Sequence, residues 1–324
     1  MSDVPQLRPR SVTELFDAAF HLYRKHFVTF VGIVALLHVP MTILMVLAQI
    51  PYAQALQTMT QLGSGPAPAP DPDIFSSLPW MQMGLGLGLI MLLSMIQYLI
   101  VTNLITGALA NTISRSYLGQ PISILEGYQI GWKRFGSLIA ASLIPALAWL
   151  AVSVLLFGCI AGVIITSFFN SSDSSPGIIV ILMLTMILLI FVIGIVSLFV
   201  YVRLIFTTQA IVLEDHGPWA GIVRSWRLVG LSFWRIVGIL ALTLLLSYVL
   251  VSIVQVPFSL LISFGSFGAN NFMLTQSLSA LVSNLVMILL LPFQLTMYTL
   301  LYYDVRIRKE GLDFELRTQQ TPLV

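Results

Sequence analysis

The chain has 324 residues, 58% of them hydrophobic and only 9% charged, with a formal net charge of +2. Soluble domains carry roughly 25% charged and roughly 45–50% apolar residues, so a water-soluble fold of this composition would lack the polar surface to stay dissolved, and the apolar excess must face lipid. So small a net charge gives no footing for nucleic acid. The single cysteine, Cys159, lies in an apolar run with no disulfide partner and no metal-ligand spacing around it.

Residues 1–26 contain no apolar stretch of the signal-peptide kind, so the first hydrophobic span is expected to direct membrane entry. Residues 11–30 place Phe16, Ala19, Phe20, Tyr23, Phe27 and Phe30 on one helical face, and Glu14, Asp17, His21, Arg24 and Lys25 on the other. This pattern predicts an amphipathic helix at the membrane interface, with Ser11 or Thr13 as its cap.

Crossing about 30 Å of hydrocarbon takes roughly 20 helical residues. Six runs are long enough: 27–50, 80–110, 137–168, 177–205, 236–262 and 276–303. None holds an acidic or basic side chain in its middle. The linker at 51–79, the polar turn at 170–177 and the Gly/Ser/Asn-rich stretch at 263–275 contain no lysine or arginine. Fourteen of the 15 lysines and arginines fall in the four remaining segments and the other, Arg203, stands at the very end of the 177–205 run, so six spans place all 15 on one side. The positive-inside rule makes that side cytoplasmic, with both termini there.

The juxtamembrane pattern recurs. A shift of 108 residues carries Phe16, Phe20 and Phe27 onto Ile124, Tyr128 and Phe135, and a further 98 onto Ile222, Trp226 and Phe233. Turn signals, Gly119-Gln120-Pro121 and Gly217-Pro218, precede the later copies. The reading is one all-α membrane domain, 1–324, made of three parallel repeats (11–110, 119–205 and 217–303) and a cytoplasmic tail (304–324). Each repeat is an interfacial amphipathic helix followed by a transmembrane hairpin.

Within the spans, Pro40, Pro145, Pro257 and Pro292 are expected to kink their helices, with a cleft near Pro257 and Pro292. Gly84/Gly88 and Gly158/Gly162 have the spacing that lets helices approach closely. Gln97, Asn103, Gln255, Asn284 and Gln294 need partners in hydrocarbon, so they face the bundle interior, either bonded between helices or lining a cavity. His38 is the one ionisable group in the first span. The lack of acidic and basic groups at membrane depth argues against an ion-coupled pump.

No nucleotide-binding, metalloprotease or nucleophile-elbow motif is present, and no paired metal carboxylates, so the reading is a non-enzyme without cofactor or metal. Glu214-Asp215-His216 precedes Gly217-Pro218 and reads as a solvated turn. Asp304 is placed to pair with Arg308 one turn on.

The opening, Leu7-Arg8-Pro9-Arg10-Ser11 through Phe16-Asp17-Ala18-Ala19-Phe20 to Tyr23-Arg24-Lys25-His26-Phe27, resembles the start of a bacterial family of uncharacterised membrane proteins. The ending, LYYDVRIRKEGLDFEL at 301–316, resembles its last-helix signature. That family is related to the membrane domain attached to some glycerophosphoryl diester phosphodiesterases. Between the two ends, only hydrophobic pattern and repeat spacing match. The resemblance implies the membrane module without the soluble catalytic barrel, a bacterial cytoplasmic-membrane location, and no catalytic residues.

Two functions follow as expectations. The first is a non-catalytic module that binds anionic lipid or a membrane-protein partner through Arg24, Lys25, Lys133, Arg134, Arg224, Arg227 and Arg235. The second is a facilitative transporter or channel for a small polar or lipid-like solute, with a cavity lined by Gln97, Asn103, Gln255, Asn284 and Gln294. Fold does not decide between them.

Overall fold

The computed structural model describes residues 8–64, 79–169, 176–264 and 272–311, all in helices and short connections. The Pro/Ala-rich linker, the polar turns at 170–175 and 265–271, the tail from 312 and the side chain of Cys159 lie outside the described residues.

Helix α1 spans Val12–Lys25. The Ser11 hydroxyl accepts from the Glu14 amide (3.2 Å) and the Glu14 carboxylate accepts from the Ser11 amide (2.8 Å), a capping box that satisfies two otherwise orphaned donors. After a break at His26 comes α2 (Phe27–Ser64). Helix α3 (Trp80–Ile96) runs through a π-helical stretch, Gln97–Thr102, into α4 (Asn103–Tyr117). Gly119, at φ +73°, closes α4: the Gln120 amide donates to the Arg115 carbonyl at 2.9 Å. Then follow α5 (Ile124–Lys133), α6 (Phe135–Phe169), α7 (Pro176–Leu204) and α8 (Thr207–Leu213). Helix α9 (Pro218–Val229) starts on proline, whose missing N–H costs nothing in a first turn. A 3-10 turn leads into α10 (Phe233–Phe264), and α11 (Phe272–Glu310) completes the fold.

Six helical stretches are long and apolar enough to cross a membrane: Phe27–Met59, Trp80–Tyr117, Phe135–Val154, Met183–Leu213, Phe233–Leu261 and Ser277–Glu310. The most apolar, Met183–Leu213, has a mean hydropathy of 3.0 in its best window, yet 0% of that window is buried. An apolar surface left uncovered is stable only if its solvent is hydrocarbon. The chain is a polytopic membrane protein.

The first, second and last spans pack on one another, α10 joins α11, and α6 and α7 stand at the periphery. The main core gathers where α1, α4, the start of α10 and the end of α11 meet. There α1 buries Leu15, Ala19 and Leu22 and leaves Phe20 60% exposed. The buried stripe shares Ala19 with the expected aromatic face but is turned toward Leu15 and Leu22, which leaves Phe20 outside. Tyr23, at its edge, stacks edge-on with Phe293 and donates its hydroxyl to the Leu289 carbonyl (2.8 Å), in the turn before Pro292.

The close helix contact in the second span falls on Gly86, not on Gly84 or Gly88. A Cβ on Gly86 would lie 2.6 Å from the Tyr52 backbone nitrogen, whereas one on Gly84, Gly88, Gly158 or Gly162 meets no described atom within 4 Å. Gly127 and Gly131 do the same work for α5, lying against Thr112 and Ala108 of α4.

Candidate functional site

The last turns of α11, from Tyr302 to Glu310, gather the charged ends of the other elements. Asp304 is 2% exposed. Its carboxylate accepts from the Arg10 amide (2.8 Å), Arg235 (2.9 Å) and Arg308 (3.0 Å). The same two guanidiniums donate to the Arg10 carbonyl, at 2.8 and 2.7 Å. The Arg308 pair is the expected i, i+4 contact; burial and the N-terminal segment are additions the sequence did not disclose. Next to it, the Tyr303 hydroxyl and Ser114 share a 2.6 Å hydrogen bond.

One turn on, Glu214 corrects the reading of a solvated turn: its side chain is 11% exposed. Asp215 takes the left-handed region, φ 62°, which Asp tolerates. Glu214 bonds to Arg224 (2.7 Å), Arg306 (3.2 Å), His216 (3.1 Å) and the Tyr302 hydroxyl. Asp215 pairs with Arg134 at the end of α5. Burial pushes the Glu214 carboxyl up, but the bonded Arg224 and Tyr302, together with the nearby Arg306 charge, hold it net below the usual carboxylate range. Arg224 also grips Glu310, and these bonds raise its proton affinity further. Lys309 donates to the Leu228 carbonyl at 2.8 Å. Arg203 is caged, 5.0 Å from the Trp226 ring centroid and 5.1 Å from that of Phe199.

These contacts bring both ends of the described chain and every short helix to one end of the bundle. They also divide the seven expected contact residues. Arg134, Arg224 and Arg235 are held by acidic partners. Arg24, Lys25, Lys133 and Arg227 are exposed and have no counter-ion among the described residues. All four lie in the last turn of a short helix: α1, α5 or α9.

The five intramembrane polar residues each find a partner across helices. Gln97 donates to His38 Nδ1 (3.3 Å), and His38 Nε2 donates to Asn284 Oδ1 (3.2 Å), which makes His38 a neutral Nε2–H tautomer joining three spans. Asn103 donates to Ser142 (2.9 Å) and to the Leu99 carbonyl (2.9 Å), an acceptor in the π-helical stretch. Gln255 accepts from Ser283 (3.2 Å) and Gln294 donates to Ser247 (3.0 Å). Gln97 and Asn284 thus meet through His38, whereas Asn103, Gln255 and Gln294 are each bonded separately to a serine of another helix.

A family model for a domain of unknown function, DUF7847, matches residues 40–305. The chain belongs to the DUF7847 family. No curated protein and no solved structure matches it. The family match covers the middle of the chain, including Lys133, Glu214, Arg224, Arg227, Arg235 and Asp304. It leaves outside both the opening with Arg24 and Lys25 and most of the resembling ending. It carries no link to the glycerophosphoryl diester phosphodiesterases. Among the described residues, no three of His, Cys, Asp and Glu are grouped to hold a metal ion.

Sequence reasoning missed Glu214 and Glu310 as functional charges. Each has nearby partners, Arg224 for Glu214 and Arg306 for Glu310, but the contacts that draw them into the hub, Tyr302 on Glu214 and Arg224 on Glu310, lie 88 and 86 residues away, and no local spacing signals a contact at that range. The unpaired cations were found, but only together with the paired ones.

Proposed function

We propose that this chain is a non-catalytic membrane module whose charged end binds anionic lipid headgroups through Arg24, Lys25, Lys133 and Arg227. The observation that carries the reading is the exposure of these four cations without counter-ions among the described residues, while the neighbouring arginines are occupied in the hub. Near an anionic bilayer surface each such cation contributes about 1 kcal/mol. The recurring placement supports a threefold build. Phe27, Phe135 and Phe233 each open a long helix, and each follows a short helix with a cation in its last turn. The units run parallel, with the charged end and both termini in the cytoplasm of a bacterial cell. The resemblance of the two ends to the phosphodiesterase-linked membrane domain supports the same location.

The transporter alternative has less to stand on, because interhelical pairing accounts for the five polar residues without a pathway.

The test is native mass spectrometry of the protein released from lipid-preserving detergent. Wild type is expected to retain anionic phospholipids. The variant R24Q/K25Q/K133Q/R227Q should lose most of them, while R8Q/E14Q, which removes an exposed pair, should not. Equal retention by wild type and the quadruple variant, at equal expression and orientation, would refute the reading. A protein that co-purifies with wild type and is lost in the variant would reassign the cations to a protein partner.

A further inference from the structure

A groove of about 400 Å³ lies between α6, α7 and α9, lined by Ile144, Val200, Leu204, Trp219, Ile222 and Val223, with Trp226 and Arg227 completing it. Its size falls in the roughly 300–1,000 Å³ range of small-ligand sites. It lies away from Pro257 and Pro292, where a cleft was expected.

Three features identify its occupant. First, the groove lies against the two peripheral spans: Ile144 belongs to Phe135–Val154, while Val200 and Leu204 belong to Met183–Leu213, of whose best window 0% is buried. What meets such a wall is hydrocarbon. Second, the apolar lining carries one charge, Arg227, which is exposed and has no counter-ion among the described residues. Arg203, nearby, is unavailable because Phe199, Trp226 and Phe233 cage it. Third, Trp219 and Trp226 stand on the same helix, 67% and 41% exposed, the residue type that settles at headgroup depth.

We infer that this groove seats one acyl chain of an anionic phospholipid whose headgroup phosphate lies on Arg227. The inference rests on the proposed lipid-binding reading and narrows it from a charged surface to one defined site. A zwitterionic lipid offers the same chain with its phosphate charge already neutralised, so Arg227 selects against it.

The experiment uses the full chain in nanodiscs containing a trace of phosphatidylglycerol with a photoactivatable group in the upper acyl chain. Labelled peptides are mapped by mass spectrometry. Labelling is expected on α9 around Ile222 and Val223 and on α6 around Ile144. Filling the groove by Ile144→Phe, on the lipid-facing wall, or by Ile222→Trp should abolish it, with the remaining anionic lipids retained. Arg227→Gln should lower it about fivefold, the weight of one surface cation. Unchanged labelling in both filled variants would overturn the site even if loss of Arg24, Lys25 and Lys133 still strips anionic lipid, which would leave the broader reading intact. Equal labelling by a phosphatidylcholine probe would overturn it as well. Anionic lipid retention indifferent to all four cations would remove both.

Discussion

Asp304→Asn changes the shape of the side chain little and removes one charge from the hub. Wild-type Asp304 is 2% exposed and holds the Arg10 amide at 2.8 Å, Arg235 at 2.9 Å and Arg308 at 3.0 Å. Breaking a buried ion pair costs about 3–5 kcal/mol because the partner charges are left uncompensated. The two guanidiniums are 27% and 35% exposed, so water screens part of the loss and the lower figure, about 3 kcal/mol, applies. Asp304 holds the Arg10 amide directly and also positions the two guanidiniums that hold the Arg10 carbonyl. The Arg10 segment should therefore open about a hundredfold more often. The assay is limited trypsinolysis at the Arg10–Ser11 bond, under conditions where cleavage follows the open population. Wild type should resist, and Asp304→Asn should be cut about a hundredfold faster, with α11 otherwise intact. Equal cleavage rates would show that the N-terminal segment is held by something other than this carboxylate.

Gly86→Ala places a methyl 2.6 Å from the Tyr52 backbone nitrogen, so α2 and α3 must separate at a cost of about 1–3 kcal/mol; Gly84→Ala and Gly88→Ala should stay within about 0.5 kcal/mol of wild type, as read by thermal denaturation in detergent. The folded-state proton affinity of Glu214 is depressed by Arg224, Tyr302 and Arg306 against the opposing effect of burial. Its contribution is therefore present above the ordinary carboxylate value of about 4.3 and is lost only as the pH falls through the depressed value. Hydrogen exchange in α9 should stay slow from pH 7 to pH 5 and rise in stronger acid; an increase between pH 7 and 5 would place the titration on another group. At 1 M salt, where the Debye length is about 3 Å, anionic lipid on the four exposed cations should be released while amide protection at Arg10 persists. Simultaneous loss of both would mean that the hub is as solvent-screened as the rim.

The spans were legible because hydrocarbon imposes a demand that can be read locally: a long apolar run with charges confined to its ends. Helices α2, α6 and α10 start at Phe27, Phe135 and Phe233, 108 and 98 residues apart. Which helical face is buried was not legible. Leu15, Ala19 and Leu22 have the same period as Phe16, Phe20 and Tyr23, and a membrane rewards an apolar face whether it meets protein or lipid. The same ambiguity moved the close contact from Gly84/Gly88 to Gly86. The hub was least legible of all. Gly217-Pro218 correctly marks a turn, but whether the Glu214 before it is wet depends on Tyr302 and Arg306 from the far end of the chain.

The positive-inside rule counts every lysine and arginine alike, yet within one charged end the structure divides them into paired and exposed groups. In the hub, Arg224, Arg235, Arg306 and Arg308 face the carboxylates of Glu214, Asp304 and Glu310. Those bonds fix how the helix ends sit against one another, and an arginine so held has little field left for a lipid phosphate. The exposed four do nothing for the packing described here, and each stands at a helix C-terminus, where the backbone dipole favours a positive charge. On the proposed reading, a cation at that position with no counter-ion among the described residues is free to meet a headgroup in the membrane. Orientation during insertion needs cations on one side only; it does not need them sorted by helix turn. A cation with no counter-ion among the described residues at the end of α1, α5 and α9 alike is what the proposed headgroup-binding rim requires.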